Sequence, residues 1–186
     1  KFDRQEYLDG NLQPVFFGSA LNNFGVRELL DCFISIAPTP KPKESDTRLV
    51  LPDETKLTGF VFKIHANMDP KHRDRLAFIK IVSGTFERNK PYLHVRNNKS
   101  MKFSSPNAFF AEKKEIVDIS YPGDIVGLHD TGNFKIGDTL TEGEMMSFKG
   151  IPSFSPEHFR YINNADPLKA KQLEKGVDQL MDEGVA

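Results

Sequence analysis

Between Leu49 and Phe148 the apolar residues recur with a period of two, and this alternation constrains the fold more than any other feature of the sequence. Successive side chains of a strand point to opposite faces of a sheet, so a half-buried strand needs such a pattern. The turn-forming sequences PG, TGN and IGD interrupt the apolar runs. Strands are predicted at 58–66, 76–84, 91–97, 102–111, 114–120, 124–129 and 138–143.

The number and length of these strands indicate the fold class. Many short strands without a helical period between them are typical of a β-sandwich or a closed antiparallel barrel. A region of about a hundred residues suits a single barrel, as in other small β domains. The prediction is therefore a mainly β protein with a closed antiparallel β-barrel over residues 48–149.

The residues before this region have a different period. PVFFGSA (14–20) is apolar and predicts a short strand, and from Val26 to Ala37 apolar residues recur at helical spacing. Pro38 ends the predicted helix. One strand and one helix are only part of an α/β unit, because the apolar face of the helix needs a sheet to cover. Residues 1–40 are therefore expected to be the C-terminal remnant of an α/β domain.

Two further segments complete the predicted organisation. The proline-rich and charged stretch around 41–47 predicts a semi-rigid linker between domains. Near the other end, a helical stripe runs from Leu168 to Met181, with Asp166 as the expected N-cap and Pro167 in the first turn. This helix lacks a partner, so residues 150–186 are expected to begin a third domain.

Composition excludes several classes of protein. The 25 basic residues balance 26 acidic ones, for a net charge of −1, so any surface for nucleic acid has to be local. Cys32 is the only cysteine, which excludes a disulfide within the chain and a cysteine-rich zinc site. The sequence has neither a membrane-length apolar run nor the apolar core of a signal peptide, and we expect a cytoplasmic protein.

No catalytic or metal site is predicted. The five histidines, at 65, 72, 94, 129 and 158, share no spacing typical of metal ligands, and no nucleophile and base can be paired. The phosphate-loop pattern GxxxxGK[ST] is absent. DIVG (124–127) matches the letters of a GTPase motif but lies within a predicted strand, where Gly127 is better explained as a bulge or close approach. We therefore expect no nucleotide hydrolysis by this chain.

Two groups of basic residues are candidates for binding phosphates. The loop after the first long predicted strand has the sequence MDPKHRDR, in which Asp69 and Asp74 oppose the basic side chains. This loop is either a solvated turn with loosely paired charges or a phosphate-binding element. The basic residues of the loop are Lys71, Arg73 and Arg75, and those of the next hairpin are Arg88, Lys90, Arg96, Lys99 and Lys102. The two groups form one patch only if the fold brings them to one face.

Several segments taken in order resemble a known family. These are FFGSALNNFGVRELLD, FVFKIHANMDPKHRDRLAF, YPGDIVGLHDTGNFKIGDTL and GIPSFSPEHF. They resemble the translational GTPases, and among them the bacterial peptide-chain release factor 3 family, over nearly the whole chain. PGDIVGL and IGDTL are shared more broadly, for instance with elongation factor G. The resemblance implies that the barrel is the family's second domain, which docks against the RNA of the small ribosomal subunit.

The same resemblance implies roles for specific residues. GSA at 18–20 matches the family's fifth guanine-nucleotide motif, so Ser19, Ala20 and Leu21 are expected to form an incomplete guanine loop. The alternative for this segment is an ordinary turn with Asn23 as helix N-cap. The phosphate loop and both switches would lie upstream of Lys1, so no cofactor is expected here. GTP or GDP with Mg²⁺ is expected in the full-length protein.

Partners also follow from the resemblance. They are the ribosome and, in the full-length protein, the release factors that read stop codons, with no membrane and a monomeric fragment. The hypothesis for RNA contacts is Lys71, Arg73 and Arg75, and no catalytic or metal-binding residue is assigned. Two other interpretations stay open: a rigid spacer barrel without RNA contact, and the same region of another translational GTPase such as elongation factor G.

Overall fold

The computed structural model describes residues 2–66, 75–110, 113–150 and 159–184. It divides into two units, Lys1–Lys41 and Pro42–Ala186. The first unit contains helix α1 (Arg4–Leu8) and helix α2 (Val26–Ile36). Helix α2 confirms the predicted amphipathic helix, and its N-cap is Gly25 rather than Asn23.

The strand predicted at 14–20 is wrong. Within these residues the structure has a single antiparallel bridge, which joins Ser19 to Phe24. An apolar run becomes a strand only when a neighbouring strand satisfies its backbone groups, and the described part of this unit contains no such neighbour. The apolar side chains are accordingly exposed, with Val15 at 75% and Phe17 at 86%.

The second unit contains twelve described strands. They are β1 (Lys43–Glu44), β2 (Leu49–Val50), β3 (Thr58–Ala66), β4 (Arg75–Ser83), β5 (Phe86–Glu87), β6 (Tyr92–His94), β7 (Lys99–Met101), β8 (Asn107–Phe110), β9 (Lys113–Ile116), β10 (Ile119–Ser120), β11 (Ile125–Asp130) and β12 (Thr139–Thr141). Eight of them form one antiparallel sheet in the order β7-β6-β12-β3-β4-β11-β8-β9. The pairs β1–β2 and β5–β10 form separate antiparallel ladders.

The sheet curls around one apolar core. Its buried members are Leu57, Val61, Ile64, Ala77, Ile79, Ile81, Phe86, Tyr92, Phe103, Val126, Leu128, Phe134 and Leu140. The predicted mainly β, antiparallel fold is thus confirmed. In the described part of the chain, the edge strands β7 and β9 are not hydrogen-bonded to each other, so the sheet is curled like a half-barrel. Phe86 of the β5–β10 ladder stacks on Tyr92 of β6 at 5.2 Å between ring centres, which places that ladder against the same core.

A second apolar cluster covers the other face of β3 and β4. It contains Val50, Phe60, Val82, Met146 and Phe148. The chain on both sides of the sheet contributes to this cluster. Ser45, in the segment predicted as a linker, is 2% exposed and is bridged to Phe148. From Lys43 onwards the predicted linker is therefore hydrogen-bonded to the body of the unit.

Arg48 connects several segments on this face of the sheet through hydrogen bonds. Arg48 donates from Nη1 and Nη2 to Glu54 at 2.7 and 2.8 Å. It also donates from Nε and Nη2 to Glu144 at 2.8 and 2.9 Å. These hydrogen bonds raise the pKa of Arg48, Glu144 contributing more than Glu54, and they lower the pKa of both carboxyl groups. The guanidinium thereby joins the β1–β2 ladder to Glu54, a few residues further along the chain, and to Glu144, which is distant in sequence.

The last described segment is helical. A 3₁₀ turn at Pro167–Lys169 leads into α3 (Ala170–Asp182). The carboxylate of Asp166 accepts a hydrogen bond from the N–H of Leu168 at 3.0 Å, which confirms the predicted cap. Among the described residues, no helix has the length and apolar character needed to cross a membrane.

Candidate nucleic-acid interface

Two described loops and the ends of three strands lie at one end of the curled sheet. The strand register pairs Ala66 with Arg75 and Arg75 with Asp130, so β3 ends, β4 begins and β11 ends at one edge. His94, at the end of β6, pairs with Leu140 of β12. We call this edge the loop end. It comprises the hairpin turn 95–98, the β11–β12 loop 131–138 and the ends of β3 and β4 that flank the basic loop, residues 67–74, which lie outside the described residues.

Arg75 fixes the point where the chain re-enters the sheet after the basic loop. Its Nε donates to Oδ2 of Asp130 at 3.0 Å, and its Nη2 donates to the carbonyl oxygen of Phe134 at 2.6 Å. The Arg75 side chain is 13% exposed and that of Asp130 is fully buried. Asp130 also accepts hydrogen bonds from the N–H groups of Asn133 and Phe134. This arginine therefore connects the start of β4 to the β11–β12 loop.

A second arginine holds the other end of the β11–β12 loop. Arg96 donates to both carboxylate oxygens of Asp138, at 2.6 and 2.8 Å, and to the carbonyl oxygen of Asn133 at 2.5 Å. Asp138 also contacts Nε2 of the buried His94 at 2.8 Å and accepts the N–H of Lys135. Burial would raise the pKa of Asp138, but the hydrogen bonds from Arg96, Lys135 and His94 outweigh it, and the pKa lies below its ordinary value.

The two arginines donate hydrogen bonds to the carbonyl oxygens of consecutive residues. Arg96 donates to the carbonyl oxygen of Asn133, and Arg75 donates to that of Phe134. Phe134 itself is fully buried, with its ring centre 4.8 Å from that of His94. The fold thus brings one member of each predicted basic group to the same loop.

The remaining members of the second basic group are divided between the two ends of the sheet. Arg88 donates to Asp118 and to the carbonyl oxygen of Ser104, away from the loop end. Lys90 is ion-paired with Glu87 and Glu142, and these contacts raise its pKa to about 12. Lys99 and Lys102 are exposed at opposite ends of β7, with Lys99 at the loop end. The five residues therefore do not form one patch.

The residues predicted to contact RNA have different positions. Lys71 and Arg73 lie outside the described residues. Arg75 is described, and its guanidinium is already bound to Asp130 and Phe134. The phosphate contact expected of Arg75 stays a prediction, and its present contacts are those of an anchor for the loop.

The predicted guanine loop is a tight turn in the first unit. The backbone groups of Ser19 and Phe24 exchange hydrogen bonds at 2.9 and 3.0 Å, and Oγ of Ser19 accepts the N–H of Asn22. Leu21 is 95% exposed. Within the described part of the chain, the N–H groups of Ala20 and Leu21 donate no hydrogen bond. The expected contact of this turn with a guanine stays a prediction.

Sequence reasoning missed the residues that organise the loop end. Asp130, Asp138 and His94 are buried polar groups whose partners lie 55, 42 and 44 residues away in the chain. No local motif marks such pairs. Among the described residues, no group of three or more histidine, cysteine, aspartate or glutamate side chains is arranged to hold a metal ion.

Comparison with known proteins gives the class of this fold. Residues 56–143 match the model of elongation factor G domain 2, and residues 148–186 match the model of the C-terminal domain of the class II release factor RF3. A crystal structure from Thermus thermophilus aligns with 97% of this chain and 26% of its own, at 16% sequence identity and a TM-score of 0.68. Because the sequence identity is low, this similarity shows the fold alone.

The two family models lie side by side and together cover more than two thirds of the sequence. The chain belongs to the translational GTPases. Within them it is an RF3-like segment centred on domain 2, as the resemblance of the sequence indicated. It spans about a quarter of the solved structure to which it is similar.

Proposed function

We propose that this chain is part of a ribosome-associated GTPase that promotes dissociation of the release factors that read stop codons. The observation that supports this most is the order of the two matches, a domain 2 followed within five residues by an RF3 C-terminal domain. A GTPase of this kind works in the cytoplasm and uses GTP and Mg²⁺. Those steps need the rest of the nucleotide-binding domain, so the chain alone should not hydrolyse GTP. Measuring GTP turnover by the purified chain tests this.

The role proposed for the chain itself is docking on the RNA of the small ribosomal subunit. The loop end supports this role. Two arginines, Arg75 and Arg96, are ion-paired with aspartates that flank the β11–β12 loop, and Arg75 is the residue that directly follows the basic loop in the sequence. Lys71 and Arg73 are proposed as phosphate contacts, with Arg75 fixing the base of the loop.

Co-sedimentation with small ribosomal subunits over a series of salt concentrations tests the docking role. Binding by phosphate contacts weakens as salt rises, because bound counterions are released. The Lys71→Ala/Arg73→Ala variant should bind more weakly and with a smaller salt dependence. A matched control is Lys56→Ala/Lys102→Ala, which removes two exposed lysines at the other end of the sheet. Equal loss in both variants would favour non-specific charge, and binding by neither wild type nor variants would favour a spacer barrel.

A second candidate is the same region of elongation factor G, favoured by the match over residues 56–143. The two candidates differ in the domain that comes after the barrel. The RF3 match over residues 148–186 favours the release factor. Complementation of a strain lacking its GTPase release factor by the full-length protein would decide between them.

A further inference from the structure

The β11–β12 loop has features that the docking role of the basic loop does not require. Its exposed residues Thr131, Gly132, Asn133 and Lys135 project from a segment whose two ends are bound to buried carboxylates. Asn133 Nδ2 also donates to Oγ1 of Thr131 at 2.9 Å, which orders the tip. A solvent-exposed loop held this firmly is suited to present side chains in fixed positions.

The surface formed by the β11–β12 loop and the neighbouring hairpin is positively charged. Neither 95–101 nor 131–137 contains an aspartate or glutamate. Asp130 and Asp138, which flank the loop, are buried and already paired with Arg75 and Arg96. Lys99 and Lys135 are exposed, and neither forms an ion pair with any described residue. Within the described part of the chain, these two cations therefore have no acidic partner.

The backbone of the tip is also accessible. Gly132 has φ +103°, and a Cβ added there would meet no atom within 4 Å. The Arg96 side chain is 41% exposed and joins the hairpin 95–98 to the tip, since it donates to the carbonyl oxygen of Asn133. Among the described residues, none blocks the space directly above Gly132.

We propose that the β11–β12 loop tip and the adjacent hairpin form a second phosphate-binding element, in which Lys135 and Lys99 contact the backbone of ribosomal RNA beside the basic loop. This inference rests on the proposed docking role. Arg96 and Asp138 are positioning residues in it, because they fix the loop from which Lys135 projects. The ligand class is a chain of phosphodiesters, since the proposed contacts are two lysines, and lysine contacts to phosphates position a nucleic acid without reading its bases.

The test compares two double variants of this chain. Lys99→Gln/Lys135→Gln removes the two proposed contacts, and Lys56→Gln/Lys102→Gln removes two exposed lysines elsewhere, with the same change of net charge. Affinity for protein-free small-subunit ribosomal RNA is measured at several salt concentrations. Two phosphate contacts contribute about 1.4–1.8 to the slope of log affinity against log salt, so the first variant should lose about that much and the control much less. Thermal melting checks that both variants are folded.

The possible outcomes separate this inference from the docking role. If wild type binds the RNA and both variants behave alike, the second element is refuted while docking through the basic loop stands. If wild type binds no RNA, both proposals fail. If polyglutamate competes as well as the RNA does, the element recognises negative charge in general, and RNA is the wrong ligand class.

Discussion

Arg96 binds the carboxylate of Asp138 through two hydrogen bonds, from Nε to Oδ1 at 2.6 Å and from Nη2 to Oδ2 at 2.8 Å. The arginine side chain is 41% exposed, whereas that of Asp138 is 4% exposed. If the charge of Asp138 is removed, Arg96 can still be hydrated. His94 and the N–H of Lys135 instead keep only a neutral, weaker hydrogen-bond acceptor.

Asp138→Asn should lower the free energy of unfolding by about 2–3 kcal/mol, because a buried charged acceptor loses several hydrogen bonds at once. Urea denaturation followed by circular dichroism measures this. The matched variant is Asp118→Asn, whose carboxylate is 78% exposed and bound to Arg88. An exposed pair contributes about 0–1 kcal/mol, so this control should hardly change stability. Equal effects would contradict a structural role for the Asp138 network.

The Asp138 carboxyl group should make stability depend on pH in the acid range. Its pKa in the folded chain lies below the ordinary 3.8, so the unfolded chain takes up a proton first as pH falls. The contribution is complete above about pH 5 and is lost as pH falls through 3.8 towards the folded value. The stability difference between wild type and Asp138→Asn should accordingly shrink from pH 6 to pH 3. Glu54 and Glu144 also have lowered pKa values, but both variants retain them. A difference independent of pH would refute this assignment.

Gly84→Ala should be strongly destabilising. Gly84 has φ +66°, and an added Cβ would lie 2.3 Å from the carbonyl carbon of Lys56 and 2.4 Å from the backbone nitrogen of Leu57. Backbone atoms cannot move aside without disturbing the start of β3, so we expect a loss above about 3 kcal/mol or failure to fold. Gly132→Ala provides the comparison, since it has a positive φ but open space around it. That variant should lose about 1 kcal/mol from strain alone. Similar losses, measured by thermal melting, would contradict the steric argument.

Arg48→Ala should loosen the β1–β2 ladder more than it lowers global stability. The guanidinium is about a third exposed, so the loss should be about 1 kcal/mol and should decrease in high salt. Hydrogen exchange reports the local effect. The amides of Ser45 and Asp46, which donate to Arg48 and Ser147, should exchange faster in the variant. Amides of β11 serve as an internal reference, and a uniform change across both regions would contradict a local role.

The long strands were predictable because their pattern is local. The predictions at 58–66, 76–84 and 124–129 agree with β3, β4 and β11 to within one residue at each end. Strands of two residues, such as β5 and β10, are too short for a period to be visible. They exist because Phe86 and Ser120, which are far apart in sequence, are neighbours in an antiparallel ladder.

The errors have a common physical cause. Contacts with residues distant in sequence determine whether a segment with strand or linker composition forms that structure. PVFFGSA has strand composition but no partner strand, and the structure gives it only the Ser19–Phe24 bridge. The stretch at 41–47 has linker composition, yet Ser45 is buried because Phe148 and Arg48 supply its partners. The basic side chains of Arg75 and Arg96 were visible in the sequence, but their aspartate partners were not.

The bridge between Ser45 and Phe148 means that the chain enters and leaves the curled sheet at neighbouring points. Two hydrogen bonds between Asp46 and Ser147, both of 2.8 Å, reinforce this closure. A module closed in this way can be inserted between two other segments, or circularly permuted, without stretching its own strands. A short peptide joining these two points, with new termini cut after the exposed Asn98 in the β6–β7 turn, should therefore give a permuted protein that retains the same sheet.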